Sequence, residues 1–203
     1  YAFYEELSKV LPEGEQILVS VGTSRVAGSQ AIYLKKDQRF YTNAVTASMG
    51  YGLPAAIGVC VGSGKKEVVC VMGEGCFQMN IQELQTIKHN KLPLKIFVVN
   101  NEGYHSIRQT QTNLFKPPFI GLDSESGICF PDFGKLSDAF GLPYYKTDSE
   151  ASASYVLDEF LNSDGPAVCE VVVDPKQNFA PKSSSKVLPD GRIVSPSLND
   201  MAP

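Results

Sequence analysis

The chain has 203 residues, of which 43% are hydrophobic and 20% are charged, as expected for a globular domain with a real core. The net charge is −4 and the sequence has no basic stripe, so nucleic acid is not an expected partner. No apolar run reaches the roughly 18 residues of a membrane span, so we expect no membrane association.

The first residues lack the positive end and apolar run of a signal peptide, and the chain begins with Tyr1 instead of Met. We therefore expect a piece of a longer protein whose upstream domains are missing. The five cysteines form no C-x-x-C pair, which is typical of a reducing compartment. The sequence thus predicts a cytoplasmic location.

Strand-like and helix-like segments alternate along the chain. Short β-branched runs predict buried strands at 17–21, 67–72, 95–100 and 167–173, and a weaker one at 144–147. Helices are predicted at 1–11, 24–34, 53–61, 81–90, 133–140 and 150–161. Asn80 and Glu83 predict a capping box at the start of the fourth helix. The alternation predicts an α/β fold: a doubly wound, mainly parallel six-stranded sheet with helices on both faces.

Two stretches have no regular pattern. Residues 112–131 carry Pro117-Pro118 and several glycines, and a connector of this length favours a functional loop. After residue 174 the chain becomes rich in Pro, Ser and Lys, with repeated turn signals. We expect one domain at 1–174 and a tail at 175–203 that straps the surface or acts as a lid or subunit contact.

Polar residues follow three predicted strands. Gly22, Thr23 and Ser24 come after the first, and the glycine-flanked Glu74 and the second residue of Asn100-Asn101 follow two others. Ligands bind at the carboxyl ends of strands in open α/β sheets. Carboxylate and amide oxygens suit Mg²⁺, and a glycine turn at a helix start suits phosphate. The sequence therefore predicts a seat for Mg²⁺ and a diphosphate.

Glycine-acid-glycine at 73–75, followed about 25 residues later by paired asparagines, resembles the signature of thiamine-diphosphate (ThDP) enzymes. The run 73–111 and the tail are most similar to acetolactate synthase large subunits. The resemblance implies that Mg²⁺ is held by Glu74, by Asn101 and by the backbone carbonyl of Gly103. It also implies that diphosphate contacts come from Gly22, Thr23, Ser24, Gly73, Gly75 and Cys76.

The segment 40–58 resembles the part of these enzymes that holds the aminopyrimidine ring. Met49 matches the bulky residue that bends thiamine into a V shape, and the Ala47 carbonyl matches the acceptor for the 4′-amino group. The remaining cofactor contacts implied by the resemblance are Tyr104, His105, Ser106 and Ile107. A solvent-exposed loop histidine is the other interpretation of His105.

The resemblance implies a function as well as a cofactor. With ThDP and Mg²⁺ bound, the domain would support decarboxylation of a 2-oxo acid such as pyruvate, with carboligation. The activating glutamate of the family lies on a pyrimidine-binding domain of another subunit, so no catalytic residue is expected here. The isolated chain is therefore predicted to be inactive, and the whole enzyme to be a homodimer or homotetramer.

Three departures from the acetolactate synthase pattern keep alternatives open. Glu74 replaces the usual aspartate, Thr110 falls where a tryptophan shapes the acceptor pocket, and His105-Ser106 replaces Gly-Met. One alternative is a non-catalytic relative that serves in assembly, and another is a different ThDP decarboxylase or lyase. A weak glycine pattern at 50–55 allows a nicotinamide oxidoreductase, and the turn at 62–66 only superficially resembles a phosphate loop.

Overall fold

The structure is a computed structural model that describes residues 1–115, 117–182, 185–195, 197 and 199. The chain forms two compact units. The first consists of Tyr1–Asn101 and Phe130–Val173, and the second of Glu102–Cys129 and Asp174–Pro203. Residues 102–129 thus group with the tail, whereas the domain boundary at residue 174 stays a prediction.

The first unit contains the predicted sheet. Its strands are β1 (Gln16–Val19), β2 (Arg39–Tyr41), β3 (Val68–Gly73), β4 (Leu94–Asn100), β5 (Tyr144–Thr147) and β6 (Ala167–Val172). They lie in the order β2-β1-β3-β4-β6-β5, and every neighbouring pair is parallel. The predicted doubly wound six-stranded fold is confirmed, and the sheet is parallel throughout.

The helices follow the predicted alternation. They are α1 (Ala2–Val10), α2 (Thr23–Ala31), α3 (Gly52–Gly62), α4 (Glu74–Met79), α5 (Glu83–Asn90), α6 (His105–Leu114), α7 (Phe133–Ala139) and α8 (Glu150–Leu161). All but α6 belong to the first unit. Within the described residues, none of them is long and apolar enough to cross a membrane.

Alternate residues of each strand pack into two hydrophobic cores, one on each face of the sheet. Cys70 and Met72 of β3 point into a core with α3, α4, α5 and α7. Val69 and Val71 of the same strand point into the other, with α1, α2 and α8. Because both faces are covered, the central strands are mostly apolar, with Lys95 of β4 and Glu170 of β6 as buried charged exceptions, which is why their sequence pattern is so easily recognised.

The predicted capping box at Asn80 and Glu83 is wrong. Helix α5 begins at Glu83, its N-cap is Gln82, and no side chain caps it. The Asn80 side chain instead donates a hydrogen bond from Nδ2 to the Gly50 carbonyl, at 2.7 Å. The amide therefore holds the turn before α3, and the chain between α4 and α5 stays non-helical.

The second unit is built on α6 and on the tail. Strands β7 (Lys186–Val187) and β8 (Ile193–Val194) form a short antiparallel ribbon. The segment after residue 174 contacts α6 through hydrogen bonds from Arg108 and Gln109. These contacts join the start of the tail to a helix that lies about 70 residues earlier in the sequence.

Candidate functional site

Three loops meet at the carboxyl edge of the sheet in the first unit. Strand β3 pairs with β1 on one side and with β4 on the other. Thr23 begins the helix after β1, Glu74 directly follows β3, and Asn101 directly follows β4. Neighbouring parallel strands end at the same edge, so the topology brings these three polar residues together.

Hydrogen bonds join the three loops. The Asn101 backbone N–H donates to Glu74 Oε1 at 2.7 Å, and Asn101 Nδ2 donates to Thr23 Oγ1 at 3.3 Å. Glu74 and Asn101 are only 2% and 4% exposed. A buried carboxylate and a buried amide thus lie side by side, as expected from the sequence for the ends of these strands.

Three buried polar atoms at this edge have no hydrogen-bond partner among the described residues. They are Asn101 Oδ1, Ser24 Oγ and Ser20 Oγ, the last directly after β1. Leaving a buried polar group unsatisfied costs about 1–3 kcal/mol, so such atoms in a folded protein call for a partner. An amide oxygen beside a carboxylate suits Mg²⁺, and a hydroxyl at a helix start suits a phosphate oxygen. The residues present therefore fit a metal-bound diphosphate.

The backbone conformation at position 22 explains why this residue is glycine. Gly22 is the N-cap of α2 with φ 69°, a left-handed backbone that other residues rarely adopt. Its neighbours Thr23 and Ser24 form the first turn of the helix, where backbone N–H groups have no intrahelical acceptor. Free N–H groups and a serine hydroxyl therefore face the same end of the sheet as Glu74.

A polar network behind Asn100 was not predicted from the sequence. Asn100 Nδ2 donates to Glu170 Oε1 at 2.6 Å, and the Tyr144 hydroxyl donates to Glu170 Oε2. Lys146 Nζ lies 3.8 Å from the same carboxylate, which is buried within β6. The side chain of Asn100 therefore has a structural role. An acid inside the apolar run of β6 is the sequence signal for this network.

The other predicted residues of the first unit lie where a ligand could reach some of them. Ala47 is exposed with φ 50°, and Met49 is 38% exposed, so Met49 does not pack in the core. Gly73 ends β3, whereas Gly75 and Cys76 are buried in the first turn of α4. The burial of Cys76 agrees with a backbone role better than with a reactive thiol.

Gly103 to Ile107 belong to the second unit. Gly103 has φ 145°, and an added Cβ would lie 2.0 Å from the Leu122 carbonyl oxygen, so only glycine fits there. The Tyr104 N–H donates to that same oxygen at 2.8 Å. Helix α6 then begins at His105, with Ser106 half-buried and Ile107 exposed.

His105 is 4% exposed, so its interpretation as a solvent-exposed loop histidine is wrong. Its Nδ1 lies 3.2 Å from the Pro175 carbonyl oxygen, and its ring packs edge-on against Phe179, with centroids 5.3 Å apart. Burial lowers the pKa of this imidazole below its usual value. The side chain is therefore held by the tail.

The structure disfavours both glycine motifs as ligand sites. A Cβ on Gly50 would lie 2.8 Å from Asn80 Nδ2, and one on Gly52 would lie 2.8 Å from Met72 Cε. These glycines serve close packing of α3, and β2 ends well before them at Tyr41. The turn at 62–66 leads into β3 at the opposite edge of the sheet and is largely exposed.

The fold and the three-loop edge define a class: parallel α/β domains with a ligand site at the carboxyl edge of the sheet. A family model described as "Thiamine pyrophosphate enzyme, C-terminal TPP binding domain" matches residues 20–171. The chain belongs to this family.

Curated relatives agree. The chain is 35% identical over 178 residues to "Acetolactate synthase isozyme 2 large subunit" of Escherichia coli K12, covering 87% of this chain and 32% of that protein. It is 29% identical to isozyme 1 of the same organism, with 89% and 32% covered. It is also 29% identical to "Acetolactate synthase 2, chloroplastic" of Zea mays, with 84% and 28% covered. The chain thus spans at most 32% of these three relatives.

Proposed function

We propose that this chain is the diphosphate-binding domain of an acetolactate-synthase-like enzyme that decarboxylates a 2-oxo acid such as pyruvate and joins two carbonyl compounds. The observation that carries the proposal is the buried, unpartnered Asn101 Oδ1 beside the Glu74 carboxylate. An unsatisfied buried amide oxygen destabilises a fold, whereas the same oxygen can serve as a ligand in a metal site. The relatives' names and the family match support the same chemistry.

Glu74, the Asn101 side chain and the Gly103 carbonyl are the proposed Mg²⁺ ligands. The bond from the Asn101 N–H to Glu74 Oε1 ties two of the loops together and orients the carboxylate. Glutamate is one methylene longer than the aspartate usual at this position, so Glu74 requires an adjusted turn to reach the same metal. Metal affinity is therefore the property that we expect this substitution to change most.

The diphosphate would be bound by hydroxyls and backbone N–H groups at helix starts. The positive end of a helix dipole lies at the start of the helix and favours an anion there. The proposed donors are Gly22, Thr23, Ser24, Gly73, Gly75 and Cys76. The thiazolium and pyrimidine rings would lie against Ala47, Met49, Tyr104, His105, Ser106 and Ile107. Once bound, ThDP supplies an electron sink for decarboxylation, and this chain supplies position and charge.

The activating glutamate is proposed to come from a pyrimidine-binding domain of another subunit in a homodimer or homotetramer. No residue of this chain is assigned a catalytic role, and the isolated chain is expected to be inactive toward pyruvate. A cytoplasmic location stays a prediction from cysteine usage, and the maize relative is named as chloroplastic.

Calorimetry on the chain with ThDP, in Mg²⁺ or in EDTA, tests the binding part of the proposal. We expect binding only with Mg²⁺, and its loss in Glu74→Ala because a metal ligand disappears. Glu83→Ala, at the half-buried start of α5, is the matched control and should bind like wild type. Binding that ignores Mg²⁺ or tolerates Glu74→Ala would contradict it.

A non-catalytic relative is the second candidate, and Glu74 in place of aspartate favours it. Measuring acetolactate formation from pyruvate by the full-length protein separates the two candidates. Turnover supports the enzyme, and cofactor binding without turnover supports the assembly role. Decarboxylation by the purified 203-residue chain alone would refute the prediction that the activating group lies elsewhere.

A further inference from the structure

The second unit contains a cavity of about 280 Å³ between α6 and the first residues of the tail. All its lining residues belong to this unit, and Glu74 and Asn101 are not among them. The residues that matter for its chemistry are His105, Arg108, Gln109, Asn178, Phe179 and Lys182. Its size suits a small metabolite better than a cofactor.

The cavity is positively charged. Arg108 and Lys182 line it together with Lys176, and no described lining residue is acidic. Arg108 is paired with Asp123 at 3.3 Å, so part of its charge is neutralised. Lys182 and Lys176 have no ion pair with any carboxylate in the described part of the chain.

Lys182 is held in place but not neutralised. Its Nζ donates to Gln109 Oε1 and lies 5.1 Å from the centre of the Phe179 ring. Burial lowers the pKa of Lys182, because removal from water disfavours the charged ammonium form. An anionic ligand would restore that stabilisation.

His105 favours a ligand that also carries a hydrogen-bond donor, in addition to the negative charge that the lysines favour. A carbonyl oxygen only accepts hydrogen bonds, so the contact with Pro175 places the proton on His105 Nδ1. In a neutral imidazole with its proton on Nδ1, Nε2 carries a lone pair. This Nε2 is buried and has no partner among the described residues. It therefore calls for a hydrogen-bond donor, such as a hydroxyl group.

We propose that this cavity binds a small oxyanion that also carries a hydroxyl group, either a hydroxy carboxylate or a hydroxylated phosphate monoester. The anionic group lies against Lys182 with Asn178 and Arg108 nearby, and the hydroxyl donates to His105 Nε2. This site goes beyond the proposed cofactor function: it shares His105 with the proposed cofactor contacts, but Arg108, Asn178 and Lys182 are not among them.

Calorimetry at constant pH on the full chain, without ThDP, tests the proposal. The probes are L-lactate, its hydroxyl-free analogue propionate, and glycerol 3-phosphate. We expect lactate to bind about three- to tenfold more tightly than propionate, the value of one neutral hydrogen bond. Tight binding of lactate identifies a carboxylate ligand, and tighter binding of glycerol 3-phosphate identifies a phosphate ester.

Variants identify the groups involved. Lys182→Gln should weaken every probe at least about tenfold, since it removes a charged donor. Lys36→Gln, an exposed lysine of the first unit, is the matched control and should change nothing. His105→Leu should make lactate and propionate bind equally. In NMR spectra, lactate should shift the imidazole C–H signals of His105. The signals of His89, the other histidine of the sequence, should stay unchanged.

Four results would each overturn the proposal. Two concern the wild type: no binding of any probe at millimolar concentration, and equal binding of lactate and propionate. The other two concern variants: binding that survives Lys182→Gln, and lactate binding that is lost in Glu74→Ala. The last would place the anion at the proposed cofactor site. Because Glu74→Ala removes ThDP binding but should spare lactate binding, failure of this proposal and failure of the cofactor proposal are distinguishable. The NMR shifts keep the test decisive if His105→Leu does not fold.

Discussion

The two neighbouring asparagines should respond in opposite ways to the same substitution. Asn100 and Asn101 are adjacent, but Asn100 bonds the buried Glu170 carboxylate, whereas Asn101 has a buried oxygen without a described partner. We predict that Asn100→Leu destabilises the chain, and that Asn101→Leu leaves it as stable as wild type or stabilises it while abolishing ThDP binding. The pair therefore separates a structural amide from a functional one.

The contacts set the magnitudes. Asn100→Leu removes a 2.6 Å hydrogen bond to a carboxylate, which is worth about 1.5–3 kcal/mol. Asn101→Leu loses a long 3.3 Å bond to Thr23, worth about 1 kcal/mol. It also removes an unsatisfied buried oxygen whose desolvation costs about 1–3 kcal/mol. The two variants should therefore differ by at least about 1.5 kcal/mol in free energy of unfolding.

Urea unfolding of the metal-free chain, followed by circular dichroism, measures this difference. With a denaturant slope of about 1–3 kcal/mol per molar, the two midpoints should be separated by about 1 M. Calorimetry with ThDP and Mg²⁺ supplies the second readout. Equal destabilisation by both substitutions, or normal ThDP binding by Asn101→Leu, would refute the assignment of Asn101 as a metal ligand.

Three further predictions concern other parts of the chain. Burial raises the pKa of Glu15 to about 7, so the folded state keeps a proton that the unfolded state releases, and stability should fall as the pH rises from about 4.5 to about 7. Glu15→Gln should flatten that slope in urea titrations, and an unchanged slope would contradict the shift. Gly103→Ala should disrupt the second unit, because its Cβ would meet the Leu122 carbonyl, and unaltered amide exchange in α6 would count against this. Cys129 is exposed and the other four cysteines are buried, so a thiol reagent should modify one cysteine quickly in the native chain; several fast thiols would be inconsistent with this burial.

The sheet was predictable because its strands are buried on both faces. Continuous β-branched runs such as β3 have no other common explanation at that length. The short edge strand β2 was not predicted, since its residues are half-exposed and include Arg39. Helix α6 was missed for a related reason: its sequence is mostly polar, with Ile107 and Leu114 as its only aliphatic residues, so it lacks a recognisable apolar stripe.

The candidate site was predictable where it depends on strand ends. Glu74 and Asn101 could be placed together because parallel strands end at one edge of a sheet. The environment of His105 was not predictable, since its partners Pro175 and Phe179 lie about 70 residues away in a segment without regular structure. Glu170 was overlooked because a single acid in an apolar strand does not reveal its partner.

The central claim is that Glu74 and Asn101 hold a divalent cation that binds a diphosphate. Electron paramagnetic resonance with Mn²⁺ in place of Mg²⁺ tests this most directly, by counting free and bound Mn²⁺ with and without ThDP. We predict that ThDP causes one Mn²⁺ to bind per chain, and that Glu74→Ala and Asn101→Leu each leave the Mn²⁺ free. Mn²⁺ that stays free with wild type, or binds both variants equally well, would contradict the account.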